Sequence, residues 1–339
     1  MSNRSTKILT GSEVVDRGHT WSDNYYKEVL RIQKTDQVVG FLFILSIVVG
    51  LLGNSSAVCY FWPRRRKTTH DLLYLAITVV DFLTVSSIFP LVVSLLNSRR
   101  KMLFANEAFC TAWSSVISFT AKLSMFLAMM ICITRTLAMK YPNRPVKRSW
   151  VVGAIAGYVS YMVVFYLTYL PQGWHYGHYF HNMSSCLLRV FHLNNTEHKS
   201  AIFIGMISYV VEVSFPSLIT FVCFLIGAWI LMTRPVLGMK FRRVSVTITL
   251  FTAVFLVCNI PCLLTLIWLT LPHISRVPSI ISTIPEVGTY YFLLMMQIFP
   301  VIVNAAINPV LYLLRMRGYQ NWIRQVLHIP ARLGNPANV

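Results

Sequence analysis

Residues 304–312 read Asn304-Ala305-Ala306-Ile307-Asn308-Pro309-Val310-Leu311-Tyr312. Two amides and a proline stand here inside a mostly apolar run over 280–314. Such a run is long enough to cross a bilayer, which takes about 20 apolar residues in a helix. An amide in that setting is expensive to bury, so it marks either a bond between helices or a functional position. Six further runs of spanning length precede it, at 38–62, 71–96, 109–138, 146–171, 202–232 and 241–271. The fold class read from them is an all-α membrane protein built as a seven-helix transmembrane bundle.

Composition agrees and excludes other classes. The 339 residues are 55% hydrophobic and only 12% charged, whereas soluble domains carry about 25% charged residues. The mean hydropathy is +0.59, which rules out an ordinary cytosolic enzyme and a disordered scaffold. A net charge of +19 would suit nucleic acid if the basic residues formed one face or tail. They fall instead in short clusters between apolar runs, as membrane anchors do, so no nucleic-acid partner is expected. The seven cysteines form no Cys-x-x-Cys pair and no zinc spacing.

Orientation follows from the basic clusters, because short cytoplasmic loops are enriched in Lys and Arg. Arg64 to Lys67, then Lys140 and Arg144 to Arg148, then Arg234 to Arg243, then Arg315 to Arg332 alternate with sparser loops holding Arg99 to Lys101, Arg189, Lys199 and Arg276. The C-terminus is therefore expected inside and the N-terminus outside, with residues 1–37 extracellular. That stretch has no hydrophobic signal core, so the first span is expected to serve as the targeting signal. Asn3, Asn182 and Asn194 open glycosylation sequons, all on the expected outer side.

Ionisable and amide groups stand out inside the spans, among them Asn54, Asp81, Lys122, Glu212, Asn259, Asn304 and Asn308. Gly53-Asn54, Leu75-Ala76 with Asp81, Phe255-x-x-Cys258-Asn259-x-Pro261 and Asn308-Pro309-x-x-Tyr312 together resemble the signature of rhodopsin-like (class A) G protein-coupled receptors. The resemblance covers roughly residues 38 to 328. It implies a receptor, not an enzyme, that binds an extracellular ligand, moves spans 3, 5, 6 and 7, and activates a heterotrimeric G protein. Arg135, Thr134, Phe255, Asn259, Pro261, Asn308, Pro309 and Tyr312 match the positions that carry activation and coupling in that family.

Several finer expectations follow from the same resemblance. Asn54, Asp81, Ser124, Asn304 and Asn308 match a polar core that ligates a sodium ion, and oxygen ligands suit so hard a cation. A protonated Asp81 bonded to Asn308 and water is the alternative; no other cofactor is implied. Cys110 and Arg135 lie about 37 Å apart along a helix, hence at opposite rims. Cys186 is the one cysteine in the expected outer loops, and a Cys110–Cys186 disulfide would pin the second outer loop. Residues 315–339 resemble an amphipathic eighth helix and short inner tail, with Tyr319, Trp322, Ile323, Val326 and Leu327 interleaved with Arg317 and Arg324. No Ser, Thr or Cys occurs after Arg315, which leaves that stretch without sites for Ser or Thr phosphorylation or for palmitoylation.

Departures from the pattern matter as much. The acid that ordinarily precedes the inner arginine is Thr134, the following Tyr is Thr136, and Phe241 stands where span six would supply a second acid. Either basal signalling is appreciable, or Thr hydroxyls and water satisfy Arg135. Asn259 replaces the aromatic switch, so activation would run through hydrogen bonds near Phe255. Tyr161 replaces a Trp in span four. The amine-binding aspartate and the retinal lysine are Ile117 and Ile302 here, which excludes a retinal Schiff base and disfavours a biogenic amine.

Lys122 and Glu212 carry opposite charges and align at similar depth on facing spans three and five. A mutual pair would avoid stranding either charge in low dielectric; direct contact of one with a charged ligand is the rival. The second outer loop, about 172–200, holds His175, His178 and His181, which could bind zinc on a helical turn but more often face water, and no metal site is assigned. A long aromatic loop beside residues 1–37 suits a peptide or small-molecule ligand. A receptor-like protein with weakened signalling and a transporter are the other readings, the second disfavoured because no internal repeat is visible.

Overall fold

The computed structural model describes residues 37–63, 68–96, 107–141, 146–176, 210–233, 246, 249–261, 264 and 298–328. Among these described residues eight helices follow in order. They are α1 (Gln37–Phe61), α2 (Thr69–Ser87, continued by Phe89–Leu96), α3 (Glu107–Lys140), α4 (Arg148–Tyr176), α5 (Phe215–Thr233), α6 (Thr249–Pro261), α7 (Phe299–Arg315) and α8 (Arg317–Val326). Among the described residues there is no strand. Among the described residues five helices, α1 to α5, are long and apolar enough to cross a membrane; the described parts of α6 and α7 lie within the expected spans 241–271 and 280–314.

Local chemistry sets the ends and breaks. Thr68 caps α2: the Asp71 N–H donates to its hydroxyl at 3.2 Å, and the Thr68 N–H donates back to Asp71 Oδ2 at 3.1 Å, a reciprocal cap. The expected span 71–96 is not one continuous helix. Pro90 has no N–H to offer, and the Leu91 N–H turns to the Ile88 carbonyl at 2.9 Å. The Ser87 carbonyl is thereby free to accept from Trp113 Nε1 of α3 at 2.7 Å. Five residues ahead of Phe215, Val210–Ser214 form one π turn. Pro216 follows it, and the missing N–H removes a reason for the chain to wind tighter there.

α3 is the central helix and packs on α2, α4 and α5, while α7 packs on α2 and α8. Small residues let α1 approach closely. A Cβ on Gly53 would stand 2.8 Å from the Pro309 Cβ, and one on Gly50 would stand 2.8 Å from a Val85 methyl. The buried apolar residues form two clusters. One surrounds Phe43, Val85, Trp113 and Ile302; the other surrounds Phe61, Tyr74, Met130, Tyr312 and Tyr319. Val164 and Leu167 of α4 belong to neither and are exposed, since that helix turns much of its surface outward.

α7 and α8 meet at Met316 with a bend of 93°. Tyr319, 2% exposed, pins α8 against the bundle. Its ring stacks on Trp322 at 6.0 Å and meets Tyr60 edge-on at 5.2 Å. Its hydroxyl shares a 2.5 Å hydrogen bond with Ser56 of α1. Outside these contacts Val326 at the end of α8 and Leu327 just after it are exposed.

Candidate functional site: the polar core, the ion pair and the arginine end

Asp81 is fully buried on α2. Its Oδ1 accepts from the Ser124 hydroxyl of α3 at 2.6 Å, and its Oδ2 accepts from Asn308 Nδ2 of α7 at 2.6 Å. One carboxylate thus ties three helices together. Asn54 does not join it. Its Nδ2 donates instead to the Ala305 carbonyl at 3.0 Å. Pro309 lies four residues after Ala305 and has no N–H, so this carbonyl has lost its helical partner.

Asn304 lies beside that group, on a cavity of about 10 Å³ lined also by Thr84, Ser124, Asn259 and Ala305. Asn259, 5% exposed, donates Nδ2 to the Phe255 carbonyl at 2.7 Å, one turn back on its own helix. Phe255 is buried in the core between helices. Pro261 closes the described part of α6. Of the span-six residues, Asn259 therefore faces Ser124, the partner of Asp81, across a small void that Met125, Pro300 and Val301 also line.

Lys122 Nζ of α3 forms an ion pair with Glu212 Oε2, which the π turn places inward and fully buried. Tyr161 of α4 donates its hydroxyl to the other oxygen, Glu212 Oε1, at 3.2 Å. Lys122 also lies 5.5 Å from the Tyr166 ring centroid and 5.9 Å from that of Phe165, within cation–π range. The Tyr158 ring stacks on Phe126 at 4.0 Å and braces α4 against α3 beside the pair.

At the other end of α3, Thr134 and Arg135 go separate ways. The Thr134 hydroxyl bonds the Met130 and Ile131 carbonyls of its own helix at 2.9 and 3.1 Å. Arg135 Nη2 donates to the Tyr74 hydroxyl of α2 at 3.2 Å, with the guanidinium carbon 5.5 Å from the ring centroid. Tyr74 meets Tyr312 edge-on at 5.4 Å and stacks on Phe61 at 5.8 Å. Tyr312 in turn meets Tyr319 of α8 at 6.3 Å. The Arg135 end, α7 and α8 thus share one aromatic cluster.

The model of the 7 transmembrane receptor (rhodopsin family) matches residues 53–312. The chain belongs to the rhodopsin-like receptor family. It is therefore a seven-transmembrane helix bundle, a multi-pass membrane protein and a receptor rather than an enzyme. The match takes in every residue of the polar core, the ion pair and the arginine end, and stops at Tyr312, short of α8. Among curated proteins no relative matches the chain.

Other sequence-stated positions fall elsewhere. Cys110 lies on α3, but its side chain, Cys186 and the sequon residues Asn3, Asn182 and Asn194 lie outside the described residues, as do His178 and His181. His175 belongs to α4, which runs past Pro171 to Tyr176 instead of ending at 171. Tyr74, Tyr161 and Ser56 were not legible as site residues. Their one signal is general: a phenol or hydroxyl buried in a span needs a polar partner.

Proposed function

We propose that this rhodopsin-like receptor binds an extracellular ligand, a peptide or a small molecule, and activates a heterotrimeric G protein through movement of spans 3, 5, 6 and 7. The reading places it in the plasma membrane with residues 1–37 outside, the bundle over 38–314, and residues 315–339 inside. Cys110 and Cys186 would close the outer end of the bundle, and Asn3, Asn182 and Asn194 would carry glycans.

The observation that carries the reading is a continuous run of contacts along the bundle. Asp81 holds Ser124 and Asn308; Asn308 and Pro309 lie on the helix of Tyr312; and Tyr312 meets the Tyr74 ring that holds Arg135. A displacement of α7 at the polar core would therefore reach the arginine through packed side chains. Asn259, bonded to its own helix, would switch by exchanging that bond for partners across the adjoining cavity.

A sodium ion fits the donor set of this core. Asp81, Ser124 and Asn304 supply hard oxygen donors, and Asn304 and Ser124 both line the cavity. The ion would supply positive charge beside a buried carboxylate, and Asp81, Ser124, Asn304 and Asn308 would hold it, with Asn54 fastening α7 alongside. The Lys122–Glu212 pair would set the spacing of spans three and five below the ligand pocket.

A receptor-like protein without G protein signalling is the second reading, favoured by a Thr134 hydroxyl spent on its own helix. One experiment separates the two. Ligand libraries are screened on cells expressing the chain, with nucleotide exchange on a panel of G proteins as readout and Arg135→Ala as control. Exchange that a ligand raises and Arg135→Ala abolishes establishes the first reading; ligand binding by both proteins with no exchange from either establishes the second.

A further inference from the structure

Arg135 stands near the end of α3 with a permanent charge; Thr134 precedes it where an acid is usual, and Phe241 stands where span six would supply a second one. Its Nε is buried with no hydrogen-bond partner among the described residues. The guanidinium makes its polar contact sideways instead, to Tyr74 on α2. Tyr74 meets the two needs of a buried guanidinium at once. Its oxygen accepts a hydrogen bond from Nη2, and its ring lies within reach of the charge.

The same ring is fixed from behind. It is 9% exposed, stacks on Phe61 at 5.8 Å with a 22° interplanar angle, and takes the edge of Tyr312 at 5.4 Å. A phenol held on two sides by aromatic rings has little rotamer freedom left, so the position of its oxygen is set in advance. Any shift of Tyr312 removes one of those two supports.

We propose that Tyr74 is the positioning residue for Arg135: its phenol holds the guanidinium against α2 in the resting receptor, and displacement of Tyr312 releases it. The restraint is one hydrogen bond from the guanidinium to an uncharged phenol, together with a ring contact. It is weaker than an ion pair with a carboxylate, so ligand-free activity is already above background and rises when the phenol is lost. The inference rests on the coupling role proposed for Arg135.

The test uses purified full-length receptor in lipid nanodiscs, with two readouts. Ligand-free nucleotide exchange is measured on a panel of purified heterotrimers, and the spacing of the α3 and α6 ends is measured between spin labels at Lys140→Cys and Val246→Cys on a Cys59→Ser background. Tyr74→Phe keeps the ring and removes only the hydroxyl. It is expected to raise exchange per receptor at least roughly tenfold, as loss of one hydrogen bond to a charged group would, and to enlarge the long-distance population. Thr134→Asp added to Tyr74→Phe is expected to return both to wild-type values or below. Tyr74→Leu, which removes the ring as well, is expected to act in the same direction and more strongly.

The proposal is overturned if Tyr74→Phe and Tyr74→Leu leave both readouts at wild-type values, or lower receptor yield without raising either. If no receptor, wild type included, drives exchange while Tyr74→Phe still lengthens the label distances, the coupling role of Arg135 fails and the restraint by Tyr74 stands.

Discussion

Asn54 on α1 donates its amide to the Ala305 carbonyl on α7 at 3.0 Å, the carbonyl that Pro309 leaves without a helical donor. A proline is tolerated inside a membrane helix when a neighbouring helix satisfies what it frees. Removing the donor with Asn54→Leu strands that carbonyl in an apolar bundle. The expected loss is about 1–3 kcal/mol, seen as a lower melting temperature of the purified receptor. Pro309→Ala added to Asn54→Leu restores an N–H and is expected to recover part of the loss. Equal melting temperatures for wild type and Asn54→Leu would mean the carbonyl has another partner.

The approach of α1 to α7 rests on Gly53, where an added Cβ meets Pro309 at 2.8 Å. Both partners are rigid, so Gly53→Ala must push the helices apart. A destabilisation of about 1–3 kcal/mol is expected for this kind of overpacking. Gly153 on α4 is the internal control, because a Cβ there meets nothing within 4 Å. Gly153→Ala is expected to be neutral or to stabilise by up to about 1 kcal/mol through helix propensity. A Gly53→Ala protein as stable as Gly153→Ala would contradict the contact.

Both carboxylate oxygens of Asp81 accept hydrogen bonds, from Ser124 and Asn308. Asp81→Ala leaves those two donors without their acceptor and is expected to lower thermal stability by about 1–3 kcal/mol. Exchanging the two groups, as Asp81→Asn with Asn308→Asp, preserves one carboxylate and one amide at the contact. The double variant is expected to be more stable than either single variant. Sodium chloride, compared with an equal concentration of choline chloride, is expected to raise the wild-type melting temperature and to leave Asp81→Ala unmoved. A wild-type protein indifferent to the cation would sink the proposed sodium role while leaving the hydrogen bonds in place.

These groups differ in how far the sequence exposes them. Asp81, Asn308, Lys122 and Glu212 stand out because a charge or amide within an apolar run requires a reason, and the helices that carry them follow from run length. Tyr74 and Tyr161 do not stand out. In a chain that is 13% aromatic a tyrosine in a span reads as core, and only the packing of α2 on α3 and of α4 beside the π turn shows what its hydroxyl bonds. The interruption of span two is half legible: Pro90 announces a lost hydrogen bond, but the Trp113 bond to the Ser87 carbonyl depends on how α3 lies across it. The π turn has no signal in residue spacing, since it changes which face Glu212 occupies without changing the apolar pattern.

Glu212 illustrates that last point and yields the sharpest test of the site. Its two oxygens are divided between Lys122 and Tyr161, so three helices converge on one carboxylate. Breaking a buried pair by removing one partner strands the other charge, which costs about 3–5 kcal/mol. Lys122→Met or Glu212→Gln alone is therefore expected to reduce cell-surface receptor severely. Lys122→Glu combined with Glu212→Lys keeps a pair across the same gap and is expected to recover surface receptor lost by either reversal alone. Recovery is expected to be partial, because a lysine at 212 cannot accept the Tyr161 hydrogen bond. Adding Tyr161→Phe should then cost little in the swapped protein but more in the wild-type protein, where it removes a bond to a charged acceptor. Surface receptor no higher in the swap than in the single reversals would show that Lys122 and Glu212 are not held together by their charges.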